Sequence, residues 1–275
     1  MERLPRKNAI DCLELVVDRL DETAQRNGNG VTWLTAPELL PEHQREQCPE
    51  GHYNLGLAHG VPGVIALLGH VCATNEKKLQ GTRRKARSLL NGAVTWLLAQ
   101  QPADRTESFP SWIGPGISPA PARIAWCYGD LGIAAAILQA AHCLNNPVWK
   151  REGLLISRRA AARPSEQSGV KDCGLCHGAA GVGHIFNRLF QTTGETWLAD
   201  AARFWFERTL EMRRPRQGIA GFAAFRPAST LRGKKKWIAE PGIVEGAAGI
   251  GLALLAATTS TEPKWDRMLM LSGLP

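Results

Sequence analysis

The sequence predicts an all-α protein in which apolar helices alternate with amphipathic ones. A Gly-x-x-Gly motif followed by an apolar run occurs four times, with first glycines at Gly60, Gly129, Gly178 and Gly246. The segments between them carry apolar and charged residues at intervals of three and four, which is typical of surface helices. We therefore expect apolar inner helices and amphipathic outer helices in one repeat-built domain, residues 1–275.

The inner helices are predicted from the apolar runs behind the glycines. These runs are Val64–Ala73, Ile133–Ala141, Val182–Phe190 and Ile250–Ala257. A further Gly-x-x-Gly, from Gly218 to Gly221, is excluded because Pro227 interrupts its apolar run. Successive first glycines are 69, 49 and 68 residues apart, which leaves room for a second helix and a variable loop in each repeat.

The outer helices are predicted from amphipathic periodicity. They are Asn8–Thr23, Thr82–Gln100, Pro147–Arg163, Glu195–Arg213 and Pro263–Leu271. The first of them should bury Leu13, Val16, Val17 and Leu20 on one side. Residues 26–51 contain Asn-Gly-Asn-Gly, three prolines and many charges, so we expect a loop there, with Val31–Leu34 as a short strand. An N-terminal outer helix and loop, residues 1–54, would thus precede the repeats in residues 55–275.

The balance of charges is basic, with a formal net charge of +8. The basic runs are Arg83-Arg84-Lys85, Arg158-Arg159, Arg213-Arg214 with Arg216, and Lys234-Lys235-Lys236. Whole helices separate these runs and no known nucleic-acid motif accompanies them, so we interpret them as solvated faces and expect no nucleic-acid partner. Long-range attraction by a basic surface favours an acidic or extended peptide as partner instead.

Seven cysteines scattered through the chain argue against a disulfide framework, because an odd number in a long sequence is typical of reduced thiols. Cys12, Cys72 and Cys143 lie in apolar helical stretches, where we expect small core residues. No signal peptide is evident at the charged N-terminus. The longest uncharged apolar run near the C-terminus, Gly246–Ala257, is too short to span a bilayer. We therefore expect a cytoplasmic protein without a transmembrane segment.

One equivalent position in each repeat carries a functional group. The residue before each first glycine is His59, Tyr128, His177 or Glu245. If the inner helices surround a common axis, these residues meet at one end of it. The equivalence of His59 with His177 favours a functional histidine over a structural one, whereas Glu245 is interpreted as a carboxylate that caps neighbouring backbone groups.

Two soft metal ligands, Cys176 and His177, are adjacent at the start of the third inner helix. Thiolate and imidazole ligands suit zinc, which in catalytic sites takes three protein ligands and keeps one position open. Cys127 is the candidate third ligand, because it precedes its helix by the same distance as Cys176. Cys173 forms a Cys-x-x-Cys pair with Cys176, which is also found in zinc knuckles and redox motifs. No second such pair exists, so we expect Cys173 to be a non-ligand neighbour and His184 to be a core residue.

The ordered set of motifs resembles a known family. His-Gly-x-x-Gly from His59, Trp-Cys-Tyr-Gly from Trp126, Cys-His-Gly-x-x-Gly from Cys176 and Glu-Gly-x-x-Gly from Glu245 are similar to the motifs of the lanthipeptide cyclases, the lanthionine synthetase C-like family. The likeness spans roughly Leu55 to Ala257. It implies an α/α toroid of inner and outer helices, with zinc held by Cys127, Cys176 and His177.

The resemblance also implies a reaction. In the family, a zinc-activated cysteine thiolate of a dehydrated precursor peptide adds to dehydroalanine or dehydrobutyrine in the same peptide, which forms a lanthionine or methyllanthionine thioether. His59 would be the acid or base of this chemistry, and Arg123 or Tyr128 would stabilise the enolate oxygen. A dehydratase that prepares the peptide is an expected partner.

The chain departs from the family pattern in its length. Family members usually have further repeats ahead of the histidine motif, and only 58 residues precede His59 here. An incomplete toroid is therefore expected, with a second chain as a possible source of the missing repeats. Two alternatives stay open: an inactive or partner-dependent zinc-binding fragment that binds peptide, and a family member that performs another thiol addition, such as one to glutathione.

Overall fold

The structure is a computed structural model that describes residues 5–104, 107–226 and 236–271. The α-helices are α1 (Arg6–Thr23), α2 (Glu42–Arg45), α3 (Val61–Ala73), α4 (Gln80–Ala99), α5 (Asp130–Leu144), α6 (Pro147–Ala162), α7 (Ala179–Thr193), α8 (Thr196–Glu211) and α9 (Ala247–Thr258). Short strands lie between them: β1 (Gln25–Asn27), β2 (Gly30–Thr32), β3 (Leu34–Thr35), β4 (His52–Asn54), β5 (Trp112–Ile113), β6 (Ala224–Arg226) and β7 (Lys236–Ile238).

These elements belong to two compact units. The first comprises the residues up to Pro121 together with Ala136–Leu155, and the second comprises Ala122–Ala135 and the residues from Ile156 onward. Helices α5 and α6 each contribute residues to both units. The predicted inner and outer helices are all present, although the last predicted outer helix is a 3₁₀ helix, Lys264–Leu269. Of the predicted basic run at 234–236, only Lys236 lies within the described residues.

Each inner helix begins directly after the first glycine of its motif, and the glycines are required by a close backbone approach. A Cβ added to Gly60, Gly129 or Gly246 would lie 2.1–2.2 Å from the carbonyl oxygen of the residue six positions earlier. The second glycines follow the same rule: a Cβ on Gly181 would lie 1.9 Å from the Leu175 carbonyl oxygen, which is also six positions earlier. The Gly-x-x-Gly motif therefore encodes contact between a helix start and its preceding loop.

In the first unit, α1 and the β1–β2 hairpin both pack against α4. Hairpin and helix approach closely because Gly92 faces Val31, whose Cγ2 would be 2.3 Å from an added Cβ. The Asn-Gly-Asn-Gly segment is the turn of this hairpin, with Asn27 paired to Gly30, so the predicted loop was wrong there. The two turn residues are Gly28 and Asn29, and glycine at the first central position is typical of a two-residue hairpin turn.

The predicted buried side of α1 is correct except at one position. The helix buries Ala9, Ile10 and Val17 and half-buries Leu13 and Leu20, whereas Val16 is 36% exposed. Cys12 lies on the exposed side of the helix, so its predicted core position was wrong. Beside this buried stripe, Nζ of Lys85 on α4 lies 2.6 Å from Asp18 Oδ1.

Strands β3, β4 and β5 form an antiparallel sheet in the order β3-β4-β5, also within the first unit. Strand β4 ends at Asn54, whose side-chain Oδ1 accepts a hydrogen bond from the Gly56 N–H at 2.9 Å. This turn leads through residues 57–60 into α3 and thereby positions His59. The predicted loop over residues 26–51 is therefore more ordered than expected, with β1, β2, β3 and α2 inside it.

In the second unit, α7 packs against both α8 and α9. Helix α7 buries Val182, Ile185 and Phe186, as the apolar run predicts. A buried ionic cluster joins it to the C-terminal 3₁₀ helix: Asp266 Oδ2 lies 3.0 Å from both His184 Nε2 and Arg188 Nε. His184 is a core residue as predicted, and its ring stacks on Trp265 at 4.7 Å between centroids.

Helix α9 is apolar around its whole circumference and contains no charged residue. It buries Gly249, Ile250 and Ala253, but Ala248, Gly251 and Leu255 on another face are exposed, with Leu255 at 57%. An apolar helix usually has neighbours on every side. The residues that the structure describes cover only part of this one. None of the described helices is long and apolar enough to cross a membrane.

Two glycine substitutions separate the close backbone approach from general helix propensity. We expect Gly181→Ala to lower the free energy of unfolding by at least about 1–3 kcal/mol, because its Cβ would collide with backbone that cannot rotate away. Gly251→Ala, where nothing lies within 4 Å, should raise it by about 0.5–1 kcal/mol. Urea denaturation of both variants measures the difference. Equal effects of the two substitutions would contradict the packing explanation.

Candidate metal centre

Backbone hydrogen bonds bring the two cysteine loops of the second unit together. The N–H groups of Trp126 and Cys127 both donate to the Cys176 carbonyl oxygen, at 3.0 and 3.3 Å. The Cys176 N–H in turn donates to the Val244 carbonyl oxygen at 2.8 Å. These hydrogen bonds link the loops that directly precede α5, α7 and α9. The side chains that precede these helices must consequently lie close together.

The convergence is seen directly in the ligand atoms. The sulfurs of Cys127 and Cys176 and an imidazole nitrogen of His177 all lie within 4.8 Å of one another. Cys127 is buried, while Cys176 and His177 are half-buried. The structure thus brings together the three residues that the sequence singles out as zinc ligands, although 48 residues separate Cys127 from its nearest partner in the chain.

The electrostatics of the cluster favour one thiolate and oppose a second. Hydrogen bonds from Cys176 and from His177 lower the pKa of the Cys127 thiol to about 5, with additional attraction from Arg123. The thiolate formed there, together with burial and the nearby Glu245 carboxylate, raises the pKa of Cys176. The two thiols therefore titrate as a pair in which the second proton is held tightly.

This donor set fits zinc. Tetrahedral zinc with Zn–S bonds of about 2.3 Å and a Zn–N bond of about 2.0 Å places its ligand atoms about 3.5–3.8 Å apart. The cluster is close to that size, and a dication removes the repulsion that opposes the second thiolate. Two sulfurs and one nitrogen on a partly exposed surface match a catalytic site in which one coordination position stays open.

Arg123 acts on the cluster through its charge, since its guanidinium lowers the pKa of both thiols. Its backbone runs beside the loop before α7: the Ile124 N–H donates to the Ser168 carbonyl oxygen at 2.8 Å, and a Cβ on Gly169 would lie 2.7 Å from the Arg123 Cβ. The Arg123 side chain is exposed. It can therefore place positive charge beside the sulfurs while remaining accessible to a substrate.

Arg123 also breaks a rule that the other repeats follow. Six positions before the first glycine stand Asn54, Asp172 and Glu240, and each accepts a hydrogen bond from the N–H two residues ahead, at 2.9–3.1 Å. Arg123 holds the same position and has no oxygen that could accept one. The repeat that contains α5 thus lacks the side-chain acceptor that stabilises this turn in the other repeats, and has a cation at that position instead.

The other candidate residues occupy distinct positions. Tyr128 is half-buried and directly follows Cys127 in the second unit. Glu245 forms an ion pair with Arg226, which also binds Glu240 at 3.1 Å, so the glutamate takes part in a charged network rather than in backbone capping. His59 is exposed in the turn before α3 in the first unit.

Cys173 points away from the cluster. Its sulfur lies 3.6 Å from the Thr209 carbonyl oxygen and 3.8 Å from the Met212 sulfur, both at the end of α8. Burial, together with the neighbouring Asp172, raises the pKa of this thiol to about 12. A neutral buried thiol that packs against α8 agrees with the expectation that Cys173 is not a ligand.

Sequence reasoning missed the supports behind the ligands. Arg159 of α6 binds Asp130, the first residue of α5, through Nε–Oδ2 at 2.6 Å and Nη2–Oδ1 at 3.1 Å. The Trp126 indole N–H donates to the Leu269 carbonyl oxygen at 2.8 Å. The 3₁₀ helix held by Asp266 therefore braces the residue beside Cys127. The acidic residue directly after Gly129 was the available signal for the first contact, whereas no sequence pattern indicated the second.

The brace at Asp266 can be tested by stability. Asp266→Asn should lower the free energy of unfolding by about 3–5 kcal/mol, because it removes the negative charge of the buried carboxylate that binds Arg188. Asp200→Asn removes an exposed pair with Arg203 on α8 and should cost about 0–1 kcal/mol. Thermal or urea unfolding of the two variants gives the comparison. A small loss at Asp266 would mean that the cluster does not anchor the 3₁₀ helix.

Comparisons with known proteins identify the family of this chain. The family described as lanthionine synthetase C-like protein matches residues 10–270. The nisin biosynthesis protein NisC of Lactococcus lactis subsp. lactis is 26% identical over 189 residues, an alignment that covers 62% of this chain and 42% of that protein. The chain therefore spans less than half the length of this relative.

A solved structure of a nisin cyclase superposes with a TM-score of 0.74 at 18% sequence identity, covering 98% of this chain and 63% of that one. The match confirms the predicted all-α fold class, the α/α toroid. Since the family match extends over almost the whole chain and includes all four glycine motifs, this protein belongs to the lanthionine synthetase C-like family.

Proposed function

We propose that this chain is a zinc-dependent lanthipeptide cyclase. Its substrate is a dehydrated precursor peptide that carries a cysteine and a dehydroalanine or dehydrobutyrine residue. The observation that carries the proposal is the convergence of Cys127, Cys176 and His177 beside the exposed Arg123. Family membership and the likeness to a nisin cyclase support the same reaction.

The reaction is an intramolecular conjugate addition. The cysteine thiolate attacks the β-carbon of the dehydro residue, the C–S bond forms, and the electron pair of the C=C bond moves into an enolate. Protonation at the α-carbon completes the thioether. Cys127, Cys176 and His177 would hold the zinc ion, which when bound would supply the Lewis acidity that lowers the pKa of the substrate thiol.

The side chains around the cluster have separate roles in this proposal. Arg123 stabilises the negative charge that develops on the enolate oxygen, since its guanidinium already acts on both sulfurs. The Tyr128 hydroxyl, beside the Cys127 ligand, is a further donor to that oxygen. His59, which the sequence predicts as the acid or base, precedes α3 in the first unit just as His177 precedes α7 in the second, and imidazole is suited to proton transfer near neutrality.

The proposed reaction requires other proteins. Dehydroalanine and dehydrobutyrine arise by loss of water from serine and threonine, so a dehydratase must act on the peptide first. The exposed apolar face of α9, with Leu255 at its centre, supports a second chain that contributes further helical repeats. Activity of the purified chain with and without such a partner distinguishes a self-sufficient cyclase from a partner-dependent one.

Metal content tests the ligand set. The purified chain should hold about one zinc ion, and Cys127→Ala or Cys176→Ala should remove it, because two protein ligands bind zinc weakly. Cys173→Ala is the matched control and should keep the metal, since that sulfur packs against α8. Inductively coupled plasma mass spectrometry after dialysis gives the stoichiometry. Zinc retained in Cys127→Ala would overturn the assignment.

Turnover tests the role of Arg123. The probe is a synthetic heptapeptide with one dehydroalanine and one cysteine; cyclisation leaves its mass unchanged but removes the thiol that iodoacetamide labels. Arg123→Gln should lower kcat about 10²–10³-fold, the loss typical of one donor to a developing oxyanion. Arg203→Gln on α8 is the control for loss of a surface charge. An unchanged kcat in Arg123→Gln would exclude the proposed role.

A further inference from the structure

A cavity of about 300 Å³ lies in the second unit, on the loop that leads to the metal ligands. Its wall includes Lys171, Asp172 and Cys173, the end of α8, the turn after it and Trp237 of β7. Cys173 is three residues before Cys176, so their Cα atoms are at most about 11 Å apart. The cavity and the sulfur cluster thus share one short loop.

The charges around the cavity are unbalanced. Lys171, Arg208 and Arg214 are its cations, and Asp172 and Glu211 are its acids. Glu211 is neutralised by Arg208 at 2.7 Å. Both Asp172 oxygens are occupied by backbone N–H groups, since Oδ1 accepts from Gly174 at 3.1 Å and Oδ2 from Phe225 at 2.9 Å. Among the described residues, Lys171 and Arg214 have no carboxylate partner.

An aromatic surface lies beside these two cations. The ring of Phe225 packs against that of Trp237 at 5.1 Å between centroids, and the Lys171 ammonium lies 5.6 Å from the Phe225 ring centre. Trp237 is 48% exposed, although it is the largest apolar side chain in the cavity wall. Cations next to an exposed aromatic ring suit a ligand that joins a carboxylate to an apolar group.

We propose that this cavity binds an acidic segment of the peptide substrate, with an Asp or Glu carboxylate between Lys171 and Arg214 and a neighbouring apolar side chain against Trp237. The inference rests on the proposed cyclase function, because the ligand is a segment of its substrate. A volume of about 300 Å³ is at the small end of ligand pockets, which suits one or two side chains rather than a whole cofactor. Held there, the peptide lies across the loop that carries Cys176.

The thiol in the cavity wall is not reactive. Cys173 is its only thiol among the described residues, and burial keeps that thiol protonated, with its pKa raised to about 12. Met212 covers the sulfur at 3.8 Å. Among the described residues, the cavity therefore presents charged and apolar groups to a peptide but no nucleophile.

Direct binding tests the proposal without turnover. The probe is the acetylated and amidated hexapeptide Ala-Leu-Asp-Leu-Glu-Ala, compared with its Asn/Gln counterpart by isothermal titration calorimetry. We expect the acidic peptide to bind at least tenfold more tightly than the neutral one. Lys171→Gln, Arg214→Gln and Trp237→Ala should each weaken it about tenfold, whereas Arg203→Gln, a charge loss elsewhere on α8, should not. Equal binding of the two peptides, or unchanged binding by Lys171→Gln and Arg214→Gln, would overturn the proposal.

Kinetics separate this proposal from the cyclase assignment. When the acidic hexapeptide is fused to the dehydroalanine–cysteine heptapeptide, Lys171→Gln and Arg214→Gln should raise KM about tenfold and leave kcat unchanged. The heptapeptide alone should show no difference between these variants and the unaltered chain. If the chain binds the acidic peptide but cyclises neither probe, the proposed binding site is supported and the cyclase proposal fails. A lowered kcat with unchanged KM would show that the two residues do not bind the segment.

Discussion

Contact between the start of each inner helix and the backbone of the loop before it is the constraint on which the candidate site depends. At Gly60, Gly129 and Gly246 the contact is with the carbonyl oxygen six residues earlier, and at Gly178 it is with the backbone four and five residues earlier. The contact is possible only where a side chain is absent, and these glycines provide that absence. It holds a tight turn at the mouth of each helix, so the residue just before the glycine is fixed in position. In the second unit three such turns are hydrogen-bonded to one another, and the sulfurs of Cys127 and Cys176 converge as a result.

The sequence was sufficient for those parts of the molecule that a local pattern encodes. The glycine motifs predicted the four inner helices, and equivalence between repeats predicted that Cys127 would approach Cys176 and His177. Features that depend on long-range contacts could not be predicted in this way. The cluster of His184, Arg188 and Asp266 joins residues up to 82 positions apart, and the cavity beside Cys173 combines four separate segments. The exposure of Val16 on α1 was missed because Val16 and Val17 are equally apolar and only the contact with α4 decides between them.

Charge is distributed unequally over the two sides of the loop at 171–177. On one side lie the two thiols of Cys127 and Cys176, and the guanidinium of Arg123 lowers the pKa of both. On the other side two cations lie next to an aromatic surface. Asp172 lies between these regions: its carboxylate accepts two backbone N–H groups and fixes the loop, while its negative charge helps to raise the pKa of Cys173. The same seven residues therefore carry two atoms of the candidate metal centre and part of the cavity wall.

The uncharged outer face of α9 has a practical consequence for handling the protein. Salts that are excluded from protein surfaces strengthen contacts between apolar areas, and Leu255 presents such an area at the surface of every molecule. Ammonium sulfate should therefore precipitate this chain at unusually low concentration, even though its charge of +8 favours dispersion in dilute buffer. Purification is best planned around low ionic strength and cation exchange rather than around hydrophobic media.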